Sequence, residues 1–297
     1  MTKNTALFNA LFAYFLWGLA PIYWKQISHI GSAQIVAHRM LWSFIFILII
    51  VIAMRQWPEL HRVVRDQRQR KLLFIAAVLN CVNWAVFIWA VNANYLVEVS
   101  MGYFINPLMT VLLGIVLFKE RLNHAQMFAL LCVFTGVGYL VFLQGYLPWI
   151  ALSLGGSFAM YGAVKKSMTV SATVGMTVET GFFVIPALIF LLICEYNQAG
   201  GSGFGVTTSD NLWLIFCGLL TLTPLVLFAS AAKNLSLTTL GMGQYIGPTL
   251  HLCIAIFLYK EPFDQAQFVA FSMIWLALII YSVDQFRQRK PQVHQVI

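Results

Sequence analysis

Long apolar stretches alternate with short polar segments along the whole chain. A helix that crosses a bilayer needs about 20 mostly apolar residues, and ten stretches meet this requirement. We predict spans at about 6–25, 32–54, 71–92, 99–118, 124–143, 148–165, 173–194, 211–231, 238–259 and 265–284. The connections between them are too short to hold a soluble domain. The pattern therefore predicts an all-α polytopic membrane protein with ten transmembrane helices.

Composition supports this fold class. Of the 297 residues, 60% are hydrophobic and 9% are charged, whereas soluble domains have about 45–50% apolar and about 25% charged residues. These few charges cannot cover a soluble surface, which excludes an ordinary soluble enzyme, a disordered chain and a secreted disulfide scaffold. The five cysteines all lie inside apolar stretches. We expect them to be buried hydrophobes, not disulfides or metal ligands.

The basic residues predict the orientation of the chain. The net charge is +8, and six of the 18 Lys and Arg residues lie between Arg55 and Lys71. With the N-terminus inside, 15 of the 18 occupy inner segments, including Lys165 at the end of the sixth span. The outer loops then hold only Lys25 and Lys260. Under the positive-inside rule both termini face the cytoplasm, and residues 287–297 form a cytoplasmic tail.

The sequence repeats itself at an offset of 141 residues. Tyr103–Pro107 aligns with Gln244–Pro248, and Phe118-Lys-Glu aligns with Tyr259-Lys-Glu. We predict two repeats, at 5–143 and 147–286, each with five spans. Because five is an odd number, the second repeat must be inverted relative to the first. Inverted repeats are typical of secondary transporters, whose substrate site lies near the membrane midplane where the repeats meet.

Several motifs carry a resemblance to a known family. They are Tyr14-Phe-Leu-Trp-Gly-Leu-Ala-Pro21, His38-Arg-Met-Leu-Trp-Ser43, Asn83-Trp, Phe87-Ile-Trp-Ala-Val-Asn92, Gly102-Tyr-Phe-Ile-Asn-Pro-Leu108, Tyr161-Gly and Gln244-Tyr-Ile-Gly-Pro-Thr249. Over nearly the whole chain, they resemble the RarD branch of the EamA-type drug/metabolite transporter superfamily. The resemblance implies a bacterial inner-membrane permease with this ten-helix fold. Related branches export amino acids and other small metabolites.

Ionisable residues inside the spans are candidates for function, because they are costly when they face lipid. His38 and Arg39 lie about seven residues into the second span. The offset of 141 residues makes Glu179 the equivalent of His38 in the second repeat. These residues could line a solute pathway, and Glu179 could carry a coupling proton. The alternative is a structural pairing with neighbouring polar groups.

Polar and aromatic residues recur at helical spacing in the third, fourth and ninth spans. Proline cannot donate its backbone N–H, so Pro107 and Pro248 predict kinks, which either line a cavity or only affect packing. The predicted substrate pathway comprises Trp17, His38, Arg39, Asn83, Trp84, Tyr103, Asn106, Pro107, Tyr161, Glu179, Gln244, Tyr245, Pro248 and His251.

These features predict a secondary-active or facilitative transporter. Its solute is a small amphipathic metabolite, an amino acid-like solute or a drug, exported by alternating access across the bacterial inner membrane. We expect no cofactor, no metal ion and no nucleic-acid partner, since the sequence has no P-loop and no zinc-ligand motif. The alternatives are a membrane-embedded enzyme and a sensor or structural protein without transport activity.

Overall fold

The computed structural model describes residues 2–27, 29–92, 95–145, 149–197, 207–258 and 265–289. All regular structure within these ranges is helical. In chain order the elements are α1 (Lys3–Gln26), α2 (Ser32–Ala53), α3 (Trp57–Arg65), α4 (Gln67–Asn92), α5 (Leu96–Phe118), α6 (His124–Gln144), α7 (Trp149–Lys166), α8 (Ala172–Asn197), α9 (Thr208–Ala232), α10 (Leu237–Gln244), α11 (Ile246–Cys253), a π-helical turn (Ile254–Leu258) and α12 (Gln265–Arg289).

The predicted fold class is confirmed. Seven helical stretches are long and apolar enough to cross a membrane, and Gly102–Phe118 and Phe268–Asp284 are shorter apolar helices. One of the seven consists of α10, α11 and the π-helical turn. Together with the two shorter helices and α7, the seven match the ten predicted spans. The repeat boundaries at 5–143 and 147–286 stay a prediction. Residue 147 and residues 290–297 of the predicted tail lie outside the described ranges.

The segment between the second and third spans contains a helix that the apolar pattern does not predict. In α3, Pro58 occupies one of the first two helical positions, where a missing N–H costs little. Glu59 lies in the first turn, and Arg62 and Arg65 lie in the last, so the charges complement the helix dipole. Only Val63 of this helix is buried. The helix is short and amphipathic, so it contains no apolar stretch that would predict it.

The two prolines of the polar stripes have different effects on their helices. The fourth span, α5, continues as one helix through Pro107. The ninth span divides at Tyr245, between α10 and α11. Pro248 has no N–H to donate to the carbonyl of Gln244, four residues earlier, which favours a break at this point.

Equivalent helices of the two repeats make equivalent packing contacts. An offset of 141 residues relates α1 to α7, α2 to α8, α4 to α9, α5 to the α10–α11 span and α6 to α12. Helix α2 packs against α8, and α6 packs against α12, so each contacts its own counterpart. Likewise, α4 packs on α7 as α9 packs on α1, and α4 packs on α8 as α9 packs on α2. The two halves therefore interlock around a pseudo-two-fold axis.

The halves approach closely where α9 crosses α2. The Ser43 hydroxyl donates a hydrogen bond of 3.0 Å to the carbonyl of Gly218. A Cβ atom added to Gly218 would lie 2.5 Å from Cβ of Trp42 and 2.8 Å from the backbone nitrogen of Ser43. The α2 backbone would have to move to accept such a contact, so only glycine fits at this crossing.

We therefore expect Gly218→Ala to lower stability by about 1–3 kcal/mol, the usual cost of overpacking. Gly138→Ala in α6 is the matched control, because a Cβ atom there meets nothing within 4 Å. Thermal unfolding of the detergent-purified protein checks both variants. Equal melting temperatures for the two would contradict this close approach.

Candidate functional site

A small cavity lies among α2, α4, α8 and α9, with two helices contributed by each half. Its volume is about 40 Å³, enough for a water molecule but too little for a metabolite. Its polar lining residues are Arg39, Ser43, Asn80, Glu179, Thr180 and Thr221. The site is therefore a small cavity between the repeats, with six polar side chains in a mainly apolar lining.

The cavity straddles the pseudo-two-fold axis. The 141-residue offset relates Asn80 to Thr221, Arg39 to Thr180 and Trp84 to Leu225, and all six residues line the cavity. In helical transporters with inverted repeats, the substrate site usually lies on this axis, between the repeats. The pairs occupy equivalent positions but differ in chemistry, since only the first half contributes a cation and an indole.

Arg39 is held in a fixed position on the first-half side of the cavity. Its guanidinium carbon lies 3.4 Å from the ring centroid of Trp84 and 5.8 Å from that of Trp24. Its Nε donates a hydrogen bond of 2.8 Å to the Thr221 hydroxyl of α9. Cation–π contacts are strongest when they are desolvated, and Arg39 is buried. A rigid guanidinium is thus presented at the boundary between the halves.

Glu179 on α8 occupies the second-half side. Its carboxylate accepts hydrogen bonds from the Lys165 ammonium of α7 and from the Tyr161 hydroxyl, the latter at 3.3 Å. Lys165 is 2% exposed and Glu179 is 4% exposed, so the ion pair is fully buried. A buried charge requires such a partner.

Lys165 corrects one expectation from the charge pattern. Its position at the end of a span is typical of a lysine that reaches the membrane surface, but its side chain is buried beside Glu179. The adjacent Lys166 instead lies 3.8 Å from the Glu120 carboxylate and is less buried. Lys165 lies in α7 and Glu179 lies in α8, fourteen positions later. Helical spacing within one span therefore could not predict their contact.

A second lysine lies close enough to this pair to interact with it electrostatically. Lys233 follows the last residue of α9. Burial first, and the charge of Lys165 second, lower the pKa of its ammonium to about 8, against the smaller raising effects of Glu59 and Glu179. The ammonium of Lys233 therefore interacts electrostatically with both members of the buried pair.

Asn106, Gln244 and Tyr245 of the predicted pathway lie in a second polar cluster, where α5 meets α10. The Thr110 hydroxyl lies 3.3 Å from Oε1 of Gln244 and donates a hydrogen bond of 3.0 Å to the Asn106 carbonyl. The Tyr245 hydroxyl donates to the Phe104 carbonyl at 3.0 Å. This cluster joins the two halves through hydrogen bonds and lies apart from the residues that line the cavity.

Tyr103, His251 and Trp17 connect α5 and α11 with α1. The rings of Tyr103 and His251 meet edge to face, with centroids 5.4 Å apart. Nε2 of His251 lies 3.1 Å from the Trp17 carbonyl. The Trp17 ring contacts Phe158 and Phe228 in an aromatic cluster.

The remaining predicted residues contact protein rather than the cavity. Asn83 donates hydrogen bonds to the Leu154 carbonyl at 2.8 Å and to the Ser157 hydroxyl at 2.9 Å, which fastens α4 to α7. His38 is fully buried in α2, and both Pro107 and Pro248 are buried. None of these four is among the described residues that line the cavity.

The structure thus divides the predicted pathway. Arg39, Trp84 and Glu179 line the cavity, and Tyr161 supports Glu179. Sequence reasoning missed Lys165, Asn80 and Thr221; the repeat offset, which relates Asn80 to Thr221, could have found the last two. Among the described residues, no group of three His, Cys, Asp or Glu side chains could hold a metal ion.

Comparison with known proteins decides the family. The EamA-like transporter family matches residues 4–142. The chain is 40% identical to Protein RarD of Escherichia coli, covering 95% of each chain. The chain belongs to the RarD branch of the EamA-type transporters. It is also 40% identical to the Bacillus subtilis protein named Uncharacterized transporter YojE, over 97% of both chains.

Two further comparisons extend this result. The chain is 28% identical, over 97% of both chains, to a Pseudomonas aeruginosa protein named Chloramphenicol-sensitive protein RarD. One solved crystal structure has a TM-score of 0.71 and 15% identity, covering 97% of this chain and all of that chain; this likeness shows the fold alone. The RarD-branch protein is a multi-pass bacterial membrane protein of a transporter family.

The buried ion pair leads to a prediction about stability. Lys165→Met leaves the Glu179 carboxylate buried without its partner, which we expect to cost about 3–5 kcal/mol. Lys165→Met combined with Glu179→Gln removes both charges and should recover much of this loss. Thermal unfolding in detergent measures the two variants, and a double variant no more stable than the single one would contradict a net pairing.

Proposed function

We propose that this RarD-branch protein carries a small zwitterionic or amphipathic solute, such as an amino acid-like metabolite, by alternating access. The observation that supports it best is the cavity on the pseudo-two-fold axis, where a guanidinium, an indole and a carboxylate from the two halves converge. Arg39 suits a carboxylate or another anionic group of the solute. Trp84 offers an apolar face, and Glu179 suits an ammonium group.

Binding of such a solute requires the helices around the cavity to separate. The cavity of about 40 Å³ has room for water but not for such a solute. Helices α2 and α8 pack on each other across the axis, and their relative movement would enlarge the cavity. In an inverted-repeat transporter, exchange of conformations between the halves exposes the site first to one side and then to the other.

Glu179 is the group we propose for proton coupling. In the closed structure Lys165 neutralises its charge. A solute ammonium that displaces Lys165, or a proton that neutralises the carboxylate, would release this pair and change the preferred conformation. A facilitator without proton coupling is the alternative, in which Glu179 only binds the solute.

We further propose that the protein exports its solute from the cytoplasm across the inner membrane, with both termini cytoplasmic. The distribution of Lys and Arg residues between the predicted loops supports this orientation, and the proposed direction follows the resemblance to branches that export small metabolites. Buried Lys165 does not contribute to this surface charge, and the remaining basic residues still favour the same side. We propose no enzymatic activity.

The first experiment is a thermal-shift screen with amino acids, amines, nucleosides and phenicols, since a ligand that binds only the folded state raises its stability. Phenicols belong in the panel because one relative is named for chloramphenicol sensitivity. A solute that stabilises the protein is then tested for flux into proteoliposomes. Chemical conversion of the solute, or binding without flux, would contradict the proposed function.

Glu179→Gln should abolish the pH dependence of flux, because the amide cannot exchange a proton in this pH range. The matched control is Glu195→Gln, which removes an exposed carboxylate near the end of the same helix. Flux measured from pH 5.5 to about 8.5 in wild type and both variants checks the role. A wild-type pH profile retained by Glu179→Gln assigns the proton elsewhere.

Arg39→Lys should weaken solute binding by at least about tenfold, since an ammonium cannot stack on Trp84 or present a planar pair of donors. The same variant tests whether charge alone suffices at this position. The half-saturating solute concentration in the flux assay is the measurement, with circular dichroism as the check on folding. Unchanged saturation would remove Arg39 from the binding site.

A further inference from the structure

A groove of about 310 Å³ lies between α4 and α8, and none of its lining residues lines the central cavity. Its lining residues are Arg70, Lys71, Phe74, Ile75 and Phe182. Arg70, Lys71, Phe74 and Ile75 are all exposed, so the groove opens outward. We name it the α4–α8 groove.

The lining of the α4–α8 groove is almost entirely apolar, and the side chains of Arg70 and Lys71 border it at one end. Arg70 and Phe74, like Lys71 and Ile75, are four residues apart and share a helix face. The cations therefore lie one turn, about 5 Å, nearer to the start of α4 than the apolar side chains. Phe74 and Phe182 meet edge to face with ring centroids 5.2 Å apart, which joins the apolar end to α8.

The surrounding segment adds positive charge to the basic end. Residues 55–71 contain six basic residues and two acidic ones, Glu59 and Asp66. Glu59 accepts a hydrogen bond of 2.8 Å from the backbone N–H of Ser171. Asp66 accepts from the backbone N–H groups of Arg68 and Gln69 at the start of α4. Both carboxylates are thus used in structural contacts, and the segment attracts anions.

Arg70 is positioned to bind such an anion. One of its terminal nitrogens donates a hydrogen bond of 3.0 Å to the Val64 carbonyl. This contact orients the side chain, and a guanidinium has five N–H donors in total. Arginine binds phosphate in a bidentate manner, and lysine adds a mobile point charge.

We propose that the α4–α8 groove binds one anionic phospholipid. Its phosphate contacts Arg70 and Lys71, and the first part of an acyl chain lies on Phe74, Ile75 and Phe182. Charge complementarity and the adjacent apolar surface favour a lipid over a soluble phosphate, because only a lipid covers both ends. Basic pockets between membrane helices are known to recognise lipid headgroups in this way. The proposal does not depend on the transport activity.

Thermal unfolding of the delipidated full chain in detergent tests this site. Phosphatidylglycerol should raise the melting temperature, whereas phosphatidylcholine, which carries no net charge, and glycerol 3-phosphate, which has no acyl chain, should not. Equal stabilisation by phosphatidylcholine would overturn the role of the cations. Equal stabilisation by glycerol 3-phosphate would show a site for a free anion, and would overturn the lipid assignment.

Two double variants locate the site. Arg70→Gln with Lys71→Gln should weaken phosphatidylglycerol binding about 30-fold, from about fivefold for each basic residue near an anionic lipid. Arg62→Gln with Arg65→Gln removes the same charge from α3 and should retain near wild-type affinity. Equal losses in the two double variants would show diffuse attraction to the segment and would overturn the groove.

Lys71→Gln alone is the second variant, because it removes an exposed side chain and should fold even if the Arg70 contact with Val64 is needed for stability. We expect about fivefold weaker binding. Native mass spectrometry counts the phosphatidylglycerol molecules that remain bound, and the expected result is one retained molecule in wild type and a lower occupancy in Lys71→Gln. Unchanged occupancy and affinity would overturn the proposal.

Discussion

The buried ion pair between Lys165 and Glu179 constrains the rest of the structure. Two charges in an apolar helical bundle are tolerated only when each neutralises the other and polar groups complete their hydrogen bonds. This requirement brings the end of α7 against α8 and places Tyr161 beside the carboxylate. It also fixes which face of α8 turns toward the axis, where Thr180 and Glu179 line the cavity.

The apolar pattern predicted the ten spans because bilayer thickness sets a minimum length for every crossing helix. It could not predict α3, whose helicity depends on charge placement and not on length. The 141-residue offset correctly related equivalent positions in the two halves. It could not predict which of these positions face the pseudo-two-fold axis. Asn83 and Asn80 lie on the same helix; Asn83 fastens α4 to α7, and Asn80 lines the cavity. Only the helix packing separates these two roles.

Helices α4 and α8 connect the interior of the protein with its surface. Asn80 and Glu179 line the central cavity, and Phe74 and Phe182 of the same two helices line the α4–α8 groove. Helical packing is dense, so a movement that opens the cavity must also change the spacing of these aromatic side chains. Occupancy of the groove and the conformation of the cavity are therefore expected to be thermodynamically linked.

The unequal chemistry of the two halves has an energetic consequence. The offset that relates α7 and α8 to α1 and α2 matches Lys165 with Trp24, and Glu179 with His38. If the halves were identical, the two conformations that they exchange would have equal free energies. A salt bridge in one half and an indole with an imidazole in the other removes this degeneracy. In the proposed alternating-access cycle, the solute-free protein would then prefer one of the two conformations, and the return to the other would be uphill.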